Sequence, residues 1–290
     1  MVTSKGEKVF NGINLLIMAG IVAAVLVPLL YLIAASFSSG AAVSAGRVGI
    51  LPVEFTWSAY QKVVENELVW SGYYNTIFYT IFGTALSLVM TICGAYPLSK
   101  KRLKIRTFVS LAIAFTMWFN AGMVPFYLNL KDLGLTNNRM SILLPFAIST
   151  FNVILLRTYF QSIPDALEEA AYMDGANDFW TLFHVYLPIA KPSLITVGLF
   201  YAVSRWNGYL WSMILLREDK FMPLQVILKK QIIEVSQSLD QLAAYDSFGN
   251  YSETTVVYAT IVVSVIPMIL IYLVFQKYLM GSVMVGSIKG

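Results

Sequence analysis

What the sequence lacks sets its first bounds. The 290 residues include one cysteine, Cys93, and one histidine, His184. No intrachain disulfide can form, and no Cys/His spacing exists to ligate zinc, so no metal site is expected. His184 has no acid–base partner at any motif spacing, which leaves the serine and cysteine hydrolase patterns without a base. Neither H-E-x-x-H nor a glycine-rich phosphate loop occurs. No catalytic residue and no cofactor are therefore expected in this chain, and any ATP must be hydrolysed by another subunit. Charge is scarce as well. Asp, Glu, Lys and Arg make up 12% of the chain, against roughly 25% in a soluble domain. The net charge of +4 calls for no nucleic-acid partner.

What is abundant is apolar: 58% of the residues are hydrophobic. Six stretches, at 13–37, 74–96, 108–128, 141–160, 194–216 and 255–276, reach the roughly twenty residues a helix needs to cross a bilayer. They predict an all-α integral membrane protein with six transmembrane helices, one transmembrane domain over 1–290, multi-pass in the lipid bilayer. The first stretch is too long for a signal-peptide core and reads as a retained anchor. No Asp or Glu lies within the six, which weighs against a proton-driven transporter. No Gly/Pro-broken span is expected to recur in both halves. Orientation follows from Lys100, Lys101, Arg102, Lys104 and Arg106, clustered after the second stretch. Such a cluster belongs on the cytoplasmic side, and alternation then puts both termini and the 162–192 segment there. Amphipathic pieces at 56–67 and 222–244, the latter with Leu224, Leu228 and Ile232 on one side, are expected on the outer face.

The most polar and most punctuated segment is 162–192, SIPDALEEAAYMDGANDFWTLFHVYLPIAKP. Ser162 with Asp165 matches a capping box, and Pro164 suits a first turn. Residues 166–173 are rich in helix formers. Asp174-Gly175 should stop this helix, since glycine accepts the left-handed backbone of a helix C-terminus. Asn177 or Asp178 can cap a second helix, on which Phe179, Phe183 and Tyr186/Leu187 share a face until Pro188 ends it. One reading is two short helices covering their own core. The other is a knob that meets another protein.

Glu169-Ala170-Ala171, then Gly175, then Val185-Tyr186-Leu187-Pro188 resembles the EAA loop of ABC importer permeases. That pattern is Glu-Ala-Ala, three residues, Gly, nine residues, Ile, one residue, Leu-Pro; Val185 stands where Ile is usual. The resemblance implies the type I ABC importer permease fold. It also implies a coupling helix that docks in a cleft of a cytoplasmic ATPase subunit, carried by Glu169, Ala170, Ala171, Asp174, Gly175, Phe179, Leu187 and Pro188. Trp206-Asn207-Gly208-Tyr209-Leu210-Trp211 with Met222-Pro223-Leu224-Gln225 is similar to carbohydrate importer permeases of the second maltose-permease kind. So is Met123-Val124-Pro125 with Leu133-Gly134-Leu135, and the form of 281–290 is that of the complex-oligosaccharide branch. This family implies a permease subunit of a binding-protein-dependent importer in the bacterial cytoplasmic (inner) membrane, and no enzyme. It implies as partners a second homologous permease, two ATPase subunits carrying ATP and Mg, an extracytoplasmic solute-binding protein and an oligosaccharide. In the maltose relative the tail reaches the ATPase dimer, which implies the same for Lys289 and Gly290.

Arg205 falls near the middle of the fifth stretch, where a cation must face water or a partner. Helical spacing puts Tyr201, Arg205, Gly208, Tyr209 and Ser212 on one side, with Asn207 and Trp211 adjoining. A sugar path needs flat rings for C–H faces and polar groups for hydroxyls, so Tyr201, Arg205, Asn207, Tyr209 and Trp211 are the substrate-path candidates. Arg205 either pairs bidentately with a carboxylate on an acidic sugar or holds structure by pairing with carbonyls or a neighbouring chain. Asn120 and Asn152 are lesser path candidates, each read first as a helix–helix hydrogen bond. The alternatives are a permease for a non-sugar solute, a passive channel, and a membrane-embedded enzyme, the last without any catalytic constellation to support it.

Overall fold

An apolar run in lipid must satisfy its own N–H and C=O groups, and helix is the one local structure that does so. The computed structural model describes residues 5–119, 121–241 and 253–287, and every regular element among them is helical. Asn120, Lys289 and Gly290 lie outside the described residues. In chain order the helices are α1 (Lys5–Ser36), α2 (Ser58–Glu65), α3 (Glu67–Ser99), α4 (Arg106–Trp118) and α5 (Met123–Asp132). Then come α6 (Thr150–Gln161), α7 (Asp165–Met173), α8 (Asp178–Ile189) and α9 (Lys191–Asn207). The last are α10 (Leu210–Leu215), α11 (Leu224–Gln241) and α12 (Glu253–Ser287). Short turns at Gly40–Ser44, Met140–Leu143 and Asp219–Phe221 link them.

Helices α1, α3 and α12 are each long and apolar enough to cross a membrane, and they cover the first, second and sixth expected stretches. The other three stretches are not single helices. In the third, α4 and α5 lie at 115° to each other. In the fourth, the turn Met140–Leu143 stops before Pro145, which has no N–H to continue it, and helix resumes only at Thr150. In the fifth, α9 ends at Asn207 and the backbone is extended at Gly208 before α10 begins. Broken apolar stretches thus occur in both halves of the chain, with Gly122 and Gly208 at two of the breaks. This corrects the expectation of unbroken spans.

Contacts divide the chain into two units. The first comprises the described parts of 1–69 and 228–266. Its small core is Ala34, Ala35, Ala42 and Val48, with Tyr31, Val53 and Tyr258 packed against it. Ser38 ties the turn after α1: its hydroxyl donates to the Ala34 carbonyl at 2.7 Å and accepts the Val53 N–H at 2.9 Å.

The second unit comprises 70–227 and the described part of 267–290, and it holds two cores at opposite ends of α3. At one end Tyr79 packs with Ile142, Leu143, Leu215, Met222 and Val226. Asn75 donates from Nδ2 to the carbonyls of Lys220 (2.8 Å) and Met222 (3.1 Å), and the Tyr79 hydroxyl donates to that of Phe221 (2.8 Å), so the loop before α11 is laced to α3. At the other end Ala95, Tyr96, Val153, Leu156, Phe160, Ala190 and Val197 form a core with Leu182 and Tyr186 of α8. Burying each large apolar side chain here contributes about 1.5–3 kcal/mol.

Candidate functional site

Helices α7 and α8 form a knob, and its local chemistry is mostly as the spacing predicts. Two terms differ. Ser162 still belongs to the last turn of α6 and donates its hydroxyl to the Tyr159 carbonyl at 2.7 Å. Pro164 is therefore the N-cap of α7, without a side-chain bond, and the Ser162–Asp165 capping box does not form. At the C-terminus the expectation holds. Gly175 has φ +82, its N–H reaches the Tyr172 carbonyl at 3.0 Å, and the Ala176 N–H reaches Ala171 at 2.9 Å. That pair of bonds is a Schellman end. Asn177, not Asp178, caps α8, its Oδ1 accepting from Trp180 N–H at 2.9 Å.

Pro188 does not end α8. Residues Leu182–Tyr186 form a π turn, and the helix runs on to Ile189 before the chain bends by 82° into α9. A proline ring meets the carbonyl four residues back in an α-helix; the wider π turn moves that carbonyl aside. The extra residue also rotates the faces. Phe179 and Phe183 are 75% and 60% exposed, while Tyr186 is 2% exposed. The three do not make the single aromatic stripe that α-helical spacing suggests.

The basic residues after α3 grip this knob. Lys100 Nζ lies 2.9 Å from Glu168 Oε2, with the side chains only 6% and 14% exposed. The ammonium sits 3.5 Å from the Tyr186 ring centre and 4.2 Å from that of Tyr96, within cation–π range. Glu168 also accepts from the hydroxyls of Tyr186 (2.8 Å) and Tyr172 (3.2 Å). Lys101 pairs with Asp165 at 2.6 Å, and Arg102 pairs with Asp178, which shares the one Tyr172 hydroxyl proton with Glu168. Burial pushes the Glu168 carboxyl up, but its hydrogen bonds from Lys100, Tyr186 and Tyr172 outweigh that and hold it below the usual carboxylate range. Tyr172 and then Arg102 hold Asp178 down likewise. Burial lowers Lys100, against the pull of Glu168.

Of the residues singled out for contact with an ATPase, Glu169, Ala170, Asp174, Gly175, Phe179 and Pro188 are exposed. Leu187 is half-buried and Ala171 is buried. Sequence reasoning used Lys100, Lys101 and Arg102 only for orientation and Asp165 and Asp178 only as caps, and it missed their pairing and the parts of Glu168 and Tyr172. The available signal was complementarity: three consecutive bases after α3 match three acids in the loop.

The substrate-path candidates Tyr201, Arg205, Asn207, Tyr209 and Trp211 all line one cavity of about 680 Å³ between α6, α9 and α10. That volume lies in the range of small-molecule sites, roughly 300–1,000 Å³. Arg205 is occupied. Its Nη1 donates to the Ile142 carbonyl, and Nη2 donates to the carbonyls of Phe146 (2.5 Å) and Leu143 (3.4 Å) and to Ser87 Oγ (3.3 Å). These are the carbonyls left without helical partners around Pro145, so Arg205 caps the broken fourth stretch. The Tyr201 hydroxyl is also engaged, with Thr91 at 2.7 Å and the Ser149 N–H at 2.9 Å. Tyr209 and Asn207 are exposed to the cavity. Asn152 lines it too, and its Oδ1 meets no donor, so the expected helix–helix bond through that oxygen is not made.

The Arg205 side chain packs close on Gly83: a Cβ there would stand 3.0 Å from Arg205 Nε and 3.3 Å from Cζ. With the carbonyls holding it on the far side, Arg205 has little room to yield. Gly83→Ala is therefore expected to cost about 1–3 kcal/mol, as overpacking does, read as a lower unfolding midpoint in detergent. An unchanged midpoint would show that Arg205 is not held as described.

Residues 69–283 match the family model described as a binding-protein-dependent transport system inner membrane component. The chain is 35% identical over 263 residues to a polygalacturonan/rhamnogalacturonan transport system permease protein, YtcP, of Bacillus subtilis (strain 168), covering 91% of this chain and 92% of that one. It is 34% identical to Protein LplC of the same organism, over 100% of this chain and 98% of that one. Among solved structures it is similar to a chain from the crystal structure of a bacterial ABC transporter involved in the import of the acidic polysaccharide alginate. The TM-score is 0.88 and the identity 48%, with 96% of this chain and 99% of that chain covered.

Proposed function

The chain belongs to the family of binding-protein-dependent transport system inner membrane components, and from that premise we propose that it is the oligosaccharide-importer permease whose cargo is an acidic oligosaccharide. The observation that carries the acidic reading is the cavity. Rings and amides line it beside the Arg205 cation, and no carboxylate faces it among the described residues. The likeness to permeases whose names and titles specify polygalacturonan, rhamnogalacturonan and alginate supports the same reading.

The finer architecture follows as part of the proposal. The chain is one transmembrane domain of six spans, three of them broken, with both termini in the cytoplasm. Support comes from the ion pairs of Lys100, Lys101 and Arg102 with the knob, which join the basic cluster to the 162–192 segment, as a shared cytoplasmic side requires. A second, homologous permease completes the pathway. Two ATPase subunits hydrolyse Mg·ATP, and a solute-binding protein delivers the sugar. The knob's exposed face, with Glu169, Ala170, Asp174, Gly175 and Phe179, is its ATPase contact. Closure of the ATPases displaces the knob, and α6 and α9 tilt with it to switch access to the cavity. Lys289 and Gly290 reach the ATPases in the same proposal.

The test is uptake by the assembled importer in proteoliposomes with ATP inside and loaded binding protein outside. Trigalacturonate or an alginate trisaccharide is expected to accumulate, and maltotriose not. Accumulation of maltotriose in preference would overturn the acidic reading; acidic uptake that continues without ATPase subunits would favour the channel. Glu169→Lys is expected to abolish both uptake and binding-protein-stimulated ATPase activity with membrane insertion intact. Full stimulation in that variant would remove Glu169 from the contact.

A further inference from the structure

The N-terminal end of α6 opens into the cavity, where Ser149, Phe151 and Asn152 line the wall. Ser149 is the N-cap, but its side chain makes no capping bond. The N-cap side chain therefore leaves the first-turn N–H groups without its acceptor, and the positive end of the helix dipole stands at the cavity wall. One turn along, Asn152 is 4% exposed and its Oδ1 reaches no donor. A buried amide oxygen in that condition is unfavourable until something donates to it. Beside it, the rings of Phe151 and Phe200 stand 6.3 Å apart, both exposed and both lining the same cavity. Arg205 offers an incoming anion its charge rather than these hydrogen bonds, because its Nη1 and Nη2 already donate to three carbonyls and Ser87.

An anion-seeking helix end, a hydroxyl-seeking amide oxygen and two ring faces thus share one corner of the cavity. We propose that this corner seats one uronic-acid unit of the passing chain. The sugar carboxylate lies on the first-turn N–H groups of α6, a ring hydroxyl donates to Asn152 Oδ1, and the C–H face of the sugar rests on Phe151 and Phe200. The proposal rests on the acidic-oligosaccharide reading above and adds the place where selection is made.

The experiment uses the complete importer in proteoliposomes, with trigalacturonate as probe and ATPase activity measured in parallel. Asn152→Leu keeps the side chain's size and removes its hydrogen bonding. It is expected to lower uptake about tenfold while binding-protein-stimulated ATPase activity stays within about twofold of wild type. Asn152→Asp puts a like charge beside the carboxylate and is expected to lower uptake about a hundredfold. Asn152→Ser, which keeps a hydroxyl, is expected to fall between wild type and Asn152→Leu. Uptake by Asn152→Leu within about twofold of wild type would overturn the subsite. So would a parallel fall of uptake and ATPase activity, which would mark Asn152 as a contact between permeases. A wild-type importer that takes up neither trigalacturonate nor an alginate trisaccharide would instead sink the acidic reading, and the subsite with it.

Discussion

Lys100→Glu is expected to reduce ATP-driven uptake by more than a hundredfold while the chain still inserts and assembles with its partner permease. Lys100 and Glu168 are almost excluded from water, so the substitution sets two carboxylates against each other in a place where neither is solvated. Removing one partner of such a pair costs about 3–5 kcal/mol. The clamp between α3 and the knob opens, and ATPase closure then moves a knob that no longer drags the membrane helices. Lys100→Met is expected to be milder, because Glu168 keeps its bonds from Tyr172 and Tyr186. The double exchange Lys100→Glu/Glu168→Lys is expected to recover part of the loss. Uptake and binding-protein-stimulated ATPase activity, measured together, decide it: near-wild-type uptake in Lys100→Glu, or no recovery in the exchange, would refute the clamp. Acid tests the same contact. The folded-state carboxyl of Glu168 lies below its ordinary value, so the clamp is complete above the ordinary carboxylate range and is lost only as pH falls through that depressed value. Mild acidification is expected to leave coupling unchanged.

Gly175→Pro is expected to abolish uptake altogether. The residue stands at φ +82, and proline is confined near −65°, so the turn between α7 and α8 cannot keep its path. The substitution also removes the N–H that closes α7 on Tyr172. Gly175→Ala must adopt a left-handed backbone at about 1–2 kcal/mol and is expected to weaken coupling without ending it. Gly175→Asn, which tolerates that conformation better, is expected to retain the most activity. The series is read as uptake per ATP hydrolysed. An order other than Asn above Ala above Pro would mean that the turn's shape is not what the knob needs.

The parts of this molecule set by neighbours in sequence were legible without coordinates. The Gly175 turn, the Asn177 cap and the long helices α1, α3 and α12 each follow from chemistry confined to a few adjacent residues. The parts decided across the fold were not. Glu168 finds Lys100 across 68 positions of sequence, and nothing in the spacing of either says so. The break in the fourth stretch is stabilised by Arg205, 59 to 63 residues away from the carbonyls it caps. Apolar content reads the same whether or not such a cap is present, so hydropathy drew one span where the backbone interrupts it. Arg205 allowed two readings, a sugar carboxylate or carbonyls, because a cation in an apolar run needs a partner. The partner was the chain's own backbone, and Asn152, read first as a helix–helix hydrogen bond, is the residue left with an unpaired oxygen at the cavity wall. The π turn was hidden for a related reason: periodicity assumes a constant rotation per residue, and one added residue carries Tyr186 inward and leaves Phe183 out.

The near right angle between α8 and α9 makes the pair a bell crank. The short arm lies in the knob; the long arm, α9, has 17 residues and is about 25 Å from pivot to tip. A rotation of roughly ten degrees about Ala190 would sweep that tip sideways by about 4 Å, more than the width of a water molecule. Because the tip carries Arg205 and Asn207, a small stroke at one surface becomes a change of bore at the far end of the arm.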